Sequence, residues 1–217
     1  RNVKLIYTIP NFQNPAGITM SLEKRKKLLE LAAKYDCLIL EDNPYGDLRF
    51  GGEYVPTVKS LDTEGRVIYV GSLSKILSPG LRVGYLVCRA ELCDKAEIVK
   101  QVNDVHTPCL TQMIATEFLK RYDVEAHIQN AARVYGEKCA FMLECMEKYF
   151  PDGITWTKPN GGYFITPDLV TPRFMVGILT ALLGREEGMK ALYAIAHSIA
   201  ERSDTQFTGS LTDMPME

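Results

Sequence analysis

Three short segments of the chain carry side chains that could do chemistry together. The segment GSLSK at 71–75 supplies two hydroxyls and the primary amine of Lys75, and Arg82 follows within SPGLRVGY. The segment EDNPYGDL at 41–48 supplies an acid and a phenol, and NFQNPAG at 11–17 supplies amides. A lysine amine reacts with carbonyl compounds, while hydroxyls and a guanidinium bind phosphate. The set predicts a site for a phosphorylated aldehyde.

Taken together, the three segments resemble those of class I/II aminotransferases of pyridoxal-phosphate fold type I. The resemblance covers residues 1 to about 165, and the motifs occur in the family's order and at its usual separations. It is closest to the branch that acts on aromatic amino acids, kynurenine and 2-aminoadipate. The resemblance implies a transaminase that uses pyridoxal 5'-phosphate to move an amino group between an α-amino acid and a 2-oxo acid. It also implies a homodimer when the protein is complete.

The resemblance implies a role for each motif residue. Lys75 would hold the cofactor as a Schiff base and then move the substrate proton, since its flexible stem reaches both positions. Asp42 would pair with the ring nitrogen of the cofactor. By analogy with the family, the Asn14-Pro15 bond is expected to be cis, which X–Pro bonds allow cheaply. The remaining groups would bind the phenolate oxygen and the phosphate: Asn14 and Tyr45 for the former, Ser72, Ser74 and Arg82 for the latter.

The elements that must position these residues can be read from the apolar pattern. Four short, mainly apolar runs predict strands from Val3 to Ile9, Cys37 to Leu40, Val67 to Val70 and Val83 to Cys88. A helix capped by Ser21 lies between the first two. This spacing predicts an α/β sheet of mostly parallel strands with crossover helices. Asn14, Asp42 and the segment 72–75 each follow a strand, so we expect them at one ligand-binding edge.

The second half of the chain is mainly helical in pattern. Three helices are predicted, over about 90–104, 109–121 and 123–149. A PNGG turn then predicts a hairpin between about 154 and 165, and the tail from Thr171 looks helical. We therefore expect residues 1–122 to form the later part of a cofactor-binding large domain. Residues 123–217 would form a long connecting helix and an incomplete or divergent α+β small domain.

Two other interpretations stay open. Ser72 to Lys75 also fits S-x-x-K, the signature of serine acyl-enzymes, although the S-D-N and K-T-G motifs that accompany it are absent. A non-catalytic remnant of the aminotransferase fold is the other. In the family that the chain resembles, a glycine-containing phosphate loop and an aromatic that stacks on the cofactor ring come from sequence before the position of Arg1. The chain's later arginines also stand outside the family's pattern for binding the substrate carboxylate; they are Arg173, Arg185 and Arg202. We therefore expect a fragment that binds the cofactor weakly and turns over little by itself.

Composition argues against several other classes of function. A formal net charge of −2 gives no electrostatic reason to expect nucleic acid or an anionic membrane as partner. No stretch is apolar and long enough to span a bilayer, and the three histidines form no metal-ligand pattern. There is no Walker loop and no G-x-G-x-x-G, so nucleotide cofactors have no support. Six cysteines without a C-x-x-C pair indicate a reducing, cytoplasmic setting.

Overall fold

Short, mostly apolar runs build the sheet that carries the motif segments. The protein's structure is a computed structural model, which describes residues 3–150 and 154–167. In that part of the chain the strands are β1 (Leu5–Thr8), β2 (Leu38–Asp42), β3 (Val67–Ser72) and β4 (Gly84–Val87). They lie in this order, with β1, β2 and β3 parallel and β4 antiparallel to β3. The predicted α/β fold with a mostly parallel sheet is confirmed.

The first helix covers one face of the sheet. Helix α1 (Leu22–Lys34) begins after Ser21, whose side chain accepts a hydrogen bond from the backbone of Lys24, as the sequence predicts. The core beside it consists of buried aliphatic and small residues: Ala32, Cys37, Ile39, Val58 and Val67. Each fully buried valine or isoleucine of this kind contributes about 1.5–3 kcal/mol. This packing holds β1, β2 and β3 in register.

The connections between the strands differ in kind. Helix α1 joins β1 to β2 as the predicted crossover, whereas β2 and β3 are joined by a long loop with a short 3-10 turn, Lys59–Leu61. The predicted helices follow β4 as α2 (Ala90–Asn103), α3 (Cys109–Arg121) and α4 (Val124–Tyr149). No helix among the described residues is apolar and long enough to cross a membrane.

The predicted hairpin around the PNGG turn is wrong in detail. Thr157 donates its backbone N–H to the carbonyl of Thr166, at 3.0 Å, so the two ends of the segment do pair. Residues between them form no regular strand, because the loop bonds elsewhere: the carbonyl of Asn160 accepts from Phe50, and Gly162 donates to Leu48. The PNGG loop is therefore fastened to the segment that follows the EDNPYGDL motif.

The motif residues all lie in one compact unit. This unit comprises Arg1–Lys148 and Thr157–Thr166, and a second unit comprises Tyr149–Trp156 and Pro167–Glu217. The domain boundary after residue 122 stays a prediction. The helical tail predicted from Thr171 onward, and the three arginines in it, lie outside the described residues.

Candidate active site

Strand register brings the motif segments to one edge of the sheet. Asp42 is the last residue of β2 and pairs with Val70, while Ser72 is the last residue of β3 and pairs with Gly84. Because β4 runs antiparallel to β3, its first residue lies at the same edge, and Arg82 comes just before it. Neighbouring strands lie roughly 4.8 Å apart, so side chains from these three strand ends can surround one small aromatic ring.

Lys75 lies in the β3–β4 loop against two tyrosine rings. Its Nζ is 6.0 Å from the ring centroid of Tyr45 and 5.9 Å from that of Tyr163. The two rings meet edge to face with centroids 5.8 Å apart. The hydroxyl of Tyr163 also donates a hydrogen bond to the backbone carbonyl of Lys75, at 2.9 Å. Tyr163 therefore contacts both the main chain and the side chain of Lys75. Burial raises the pKa of the Tyr163 phenol.

Asp42 is half-buried and holds one hydrogen bond from the neighbouring strand. The hydroxyl of Tyr7, in β1, donates to Oδ2 of Asp42 at 2.7 Å. This contact raises the pKa of the Tyr7 phenol to about 12, because the carboxylate stabilises the protonated hydroxyl. The carboxylate of Asp42 keeps its other oxygen available for a cationic partner.

Tyr45 and Asn14 have different surroundings. Tyr45 is buried, with 5% of its surface exposed, and packs edge to face on Phe164 as well as on Tyr163. Asn14 is exposed in the β1–α1 loop, and its bond to Pro15 is cis, as predicted. Among the described residues, no hydrogen bond joins the side chain of Asn14 to Asp42, Tyr45 or Lys75. The convergence of Asn14 with the other motif residues stays a prediction.

The residues expected to bind phosphate lie on either side of Lys75. The hydroxyl oxygen of Ser72 accepts a hydrogen bond from the backbone N–H of Ser74, at 3.1 Å. Arg82 is exposed, has a left-handed backbone with φ of 54°, and donates to the carbonyl of Pro79 at 3.1 Å. Its guanidinium has further N–H donors for an anion. Gly71, the first residue of GSLSK, lies directly beneath the ring of Tyr85, where a Cβ would clash.

A buried polar network lies beneath the two loops that carry Asn14 and Tyr45. Arg25 of α1 is fully buried and donates to the side-chain oxygen of Asn11 at 2.6 Å. Asn11 donates to Asn43 at 2.8 Å, and Asn43 donates to the hydroxyl of Tyr69 at 2.9 Å. Burial lowers the pKa of Arg25, while the buried carboxylate of Glu41 nearby opposes that shift. The network ties the NFQNPAG and EDNPYGDL segments to β3.

These donors fit what pyridoxal phosphate requires of a protein. The edge presents an amine next to two aromatic rings, a carboxylate at the end of the neighbouring strand, and hydroxyls with a guanidinium for an anion. The fold therefore defines an α/β protein whose sheet edge carries groups suited to a phosphorylated aldehyde. Residues 2–194 match the family model described as aminotransferase class I and II. The chain belongs to the class I and II aminotransferase family, whose members are pyridoxal-phosphate-dependent transferases.

Known proteins similar to the chain agree with this family. It is 47% identical over 165 residues to aromatic-amino-acid aminotransferase 1 of Thermococcus litoralis, covering 76% of the chain and 40% of that protein. It is 39% identical to the 2-aminoadipate transaminase of Thermus thermophilus, covering 76% of the chain and 42% of that protein. The kynurenine aminotransferase of Pyrococcus horikoshii, solved in complex with PMP, superposes with a TM-score of 0.77 at 43% identity, covering 82% of the chain and 45% of that structure. The chain thus spans about two fifths of the length of the curated relatives it matches.

Two residues at the site are not singled out by the sequence patterns. Tyr7 contacts Asp42, and its strand position was the available signal, since residues that alternate along β1 share a face. Tyr163 contacts Lys75, which is 88 residues earlier in the chain, and no local sequence pattern predicts that contact. Both are tyrosines that touch a residue of the predicted set.

Proposed function

We propose that the whole protein of which this chain is part is an aminotransferase that moves an amino group between an α-amino acid and a 2-oxo acid. One observation carries the proposal: the amine of Lys75 lies between Tyr45 and Tyr163, at the edge where Asp42 ends the neighbouring strand. The family of the chain supports this reading of the edge. Pyridoxal phosphate, when bound, supplies an electron sink for the substrate.

Lys75 and Asp42 have complementary tasks in the proposal. The amine of Lys75 binds the cofactor and then carries a proton to and from the substrate Cα, which its flexible stem and its half-buried setting favour. The carboxylate of Asp42 holds the ring nitrogen in its protonated form through a charge-assisted hydrogen bond. Loss of one partner of a buried ion pair costs about 3–5 kcal/mol, so Asp42→Ala should weaken cofactor binding strongly.

The other motif residues orient the cofactor. Tyr45 and Asn14 donate hydrogen bonds to the phenolate oxygen in the proposal, and the buried ring of Tyr45 limits how far its hydroxyl can move. The phosphate is bound by hydroxyls and a guanidinium, which suit the charge and geometry of phosphate oxygens. These groups belong to Ser72, Ser74 and Arg82.

The substrate class follows from the walls of the site and from the names of the relatives. Tyr135 packs on Tyr163 with centroids 4.6 Å apart, which extends the aromatic surface beside Lys75. We therefore propose an aromatic or 2-aminoadipate-like amino acid as the amino donor, in line with the aromatic and 2-aminoadipate aminotransferases among the relatives. A homodimer is proposed for the complete protein, to be checked by sedimentation. A cytoplasmic setting is proposed because the six cysteines are free thiols.

The proposal is tested by cofactor binding followed by one half-reaction. The purified 217-residue chain is titrated with pyridoxal phosphate and then mixed with L-kynurenine or L-phenylalanine. Because this chain is expected to bind weakly, we expect a new absorption band near the visible edge only at high cofactor concentration. Addition of the amino acid should cause a slow and partial loss of that band, with release of the 2-oxo acid. Lys75→Ala should abolish both changes, and Asp42→Ala should weaken the first.

The same samples separate the other interpretations. Cofactor binding at Lys75 without any conversion of the amino acid would support a non-catalytic remnant of the fold. Absence of the band in the wild-type chain at saturating cofactor would overturn the proposal. Covalent labelling of Ser72 by a β-lactam would favour the acyl-enzyme interpretation, although Ser72 ends a strand and is followed by turns rather than a helix.

A further inference from the structure

Tyr7 and Asp42 reach each other because of how β1 and β2 pair. Tyr7 is the register partner of Leu40, two residues before Asp42, and alternate residues of a strand share one face of the sheet. The ring of Tyr7 therefore extends along this face toward the carboxyl edge. Its hydroxyl arrives at Oδ2 of Asp42 with an O–O distance of 2.7 Å, in the range of charge-assisted hydrogen bonds to carboxylates.

This contact restricts what the carboxylate can do. A carboxylate on a single rotatable bond can turn, but a donor on Oδ2 fixes its plane and leaves Oδ1 for a second partner. Among the described residues, Tyr7 is the one side chain that donates a hydrogen bond to Asp42. The same contact raises the pKa of the Tyr7 phenol, so Tyr7 keeps the proton that it donates to Asp42 at neutral pH.

We propose that Tyr7 is a positioning residue, which orients Asp42 toward the ring nitrogen of the cofactor. The inference rests on the proposed function, because it requires that Asp42 pairs with that nitrogen. Tyr7 itself would make no contact with the reacting atoms. Its hydroxyl acts through Asp42, so its effect should appear only with ligands that engage Asp42.

The test compares two ligands and three proteins. The ligands are pyridoxal phosphate and an analogue in which carbon replaces the ring nitrogen. The proteins are the wild-type chain, Tyr7→Phe, and the matched control Tyr35→Phe. Tyr7 and Tyr35 are similarly exposed, at 58% and 62%, so neither substitution removes a core side chain. Dissociation constants are measured by absorption titration, and no turnover is needed.

We expect Tyr7→Phe to bind pyridoxal phosphate roughly tenfold to hundredfold more weakly, the range of one lost hydrogen bond to a charged group. Its affinity for the analogue should match that of the wild type, since the analogue has no nitrogen for Asp42. Tyr35→Phe should bind both ligands like the wild type. In an Asp42→Asn background, the further change Tyr7→Phe should have little additional effect.

Each other result counts against the inference. If Tyr7→Phe binds pyridoxal phosphate as tightly as the wild type, or loses affinity for both ligands equally, Tyr7 does not act through the ring nitrogen. In that case the proposed function stands, because the wild type still binds the cofactor. If the wild type binds neither ligand, the proposed function fails, and the role of Tyr7 fails with it.

Discussion

At the residue scale, Lys75 differs from several other lysines of the chain in what lies beside it. Lys27, Lys59 and Lys100 each form an ion pair with a carboxylate three or four residues away. Lys75 instead faces the rings of Tyr45 and Tyr163, and among the described residues it has no ion pair. An amine that is not held in an ion pair is free to approach the carbonyl carbon of a ligand.

The Tyr7–Asp42 contact predicts a change of stability at alkaline pH. Folded Tyr7 has a pKa of about 12, above the ordinary value of 10.0, so the unfolded chain releases this proton first. The stability that the contact contributes is therefore complete below pH 10 and is lost as pH rises from 10 to 12. The unfolding free energies of the wild type and Tyr7→Phe should differ by a constant amount below this window and converge within it. A difference that grows through the window, measured by urea unfolding, would contradict the assignment.

At the element scale, helix α1 covers the sheet and also supplies the buried Arg25. This side chain donates hydrogen bonds to backbone carbonyls of two different loops. Arg25 donates to Met20 at 3.0 Å, to Pro10 at 3.1 Å and to Pro56 at 2.9 Å. These carbonyls belong to the loops before α1 and after the EDNPYGDL segment. One planar guanidinium thus serves acceptors that a lysine could not reach together.

Replacing Arg25 should be strongly destabilising. Arg25→Ala leaves the carbonyls and the side-chain oxygen of Asn11 buried without this donor. Each unsatisfied buried acceptor costs about 1–3 kcal/mol, so we expect a clear loss of stability in urea unfolding. Arg25→Lys keeps the charge and should lose less. The control is Lys27→Ala on the same helix, whose exposed ion pair with Glu30 contributes little because solvent screens it. Equal losses of unfolding free energy for Arg25→Ala and Lys27→Ala would show that the hydrogen bonds of Arg25 do not stabilise the fold.

The PNGG loop predicts a second stability difference. A Cβ on Gly161 would overlap the ring of Phe12 and lie 2.6 Å from the carbonyl oxygen of Leu48. Gly161→Ala should therefore destabilise the chain by about 1–3 kcal/mol, as overpacking does in a filled interior. Gly80→Ala is the control, since its Cβ would meet only Ser78, at 3.8 Å. Thermal unfolding should separate the two variants, and similar melting temperatures would show that the loop is not packed as described.

Local patterns predicted the elements of the described chain better than the contacts between them. Ser21 as a helix cap and the strands around Ile39 and Val67 follow from residue type and spacing, which act over a few positions. The hairpin near the PNGG turn was mispredicted because Gly162 and Asn160 bond a segment about 110 residues earlier, which no local pattern encodes.

At the scale of the whole molecule, the site is an outcome of topology. Three parallel strands followed by one antiparallel strand bring Asp42, Ser72 and Gly84 to the same edge, and Arg82 lies two residues before Gly84. Side-chain contacts across that edge could not be predicted in this way. The hydroxyl of Tyr7 meets Asp42 across 35 residues and that of Tyr163 meets Lys75 across 88, and such contacts depend on the packing of whole side chains.

The most direct measurement of the central claim is to map where the cofactor attaches. The 217-residue chain is incubated with pyridoxal phosphate, reduced with borohydride, digested and examined by mass spectrometry. We predict that the modified residue is Lys75 and that its labelling at low cofactor exceeds that of exposed Lys26 and Lys34. Asp42→Ala should lower the labelling of Lys75 and leave that of the two surface lysines unchanged. Labelling of Lys75 no greater than that of Lys26 and Lys34 would contradict the account.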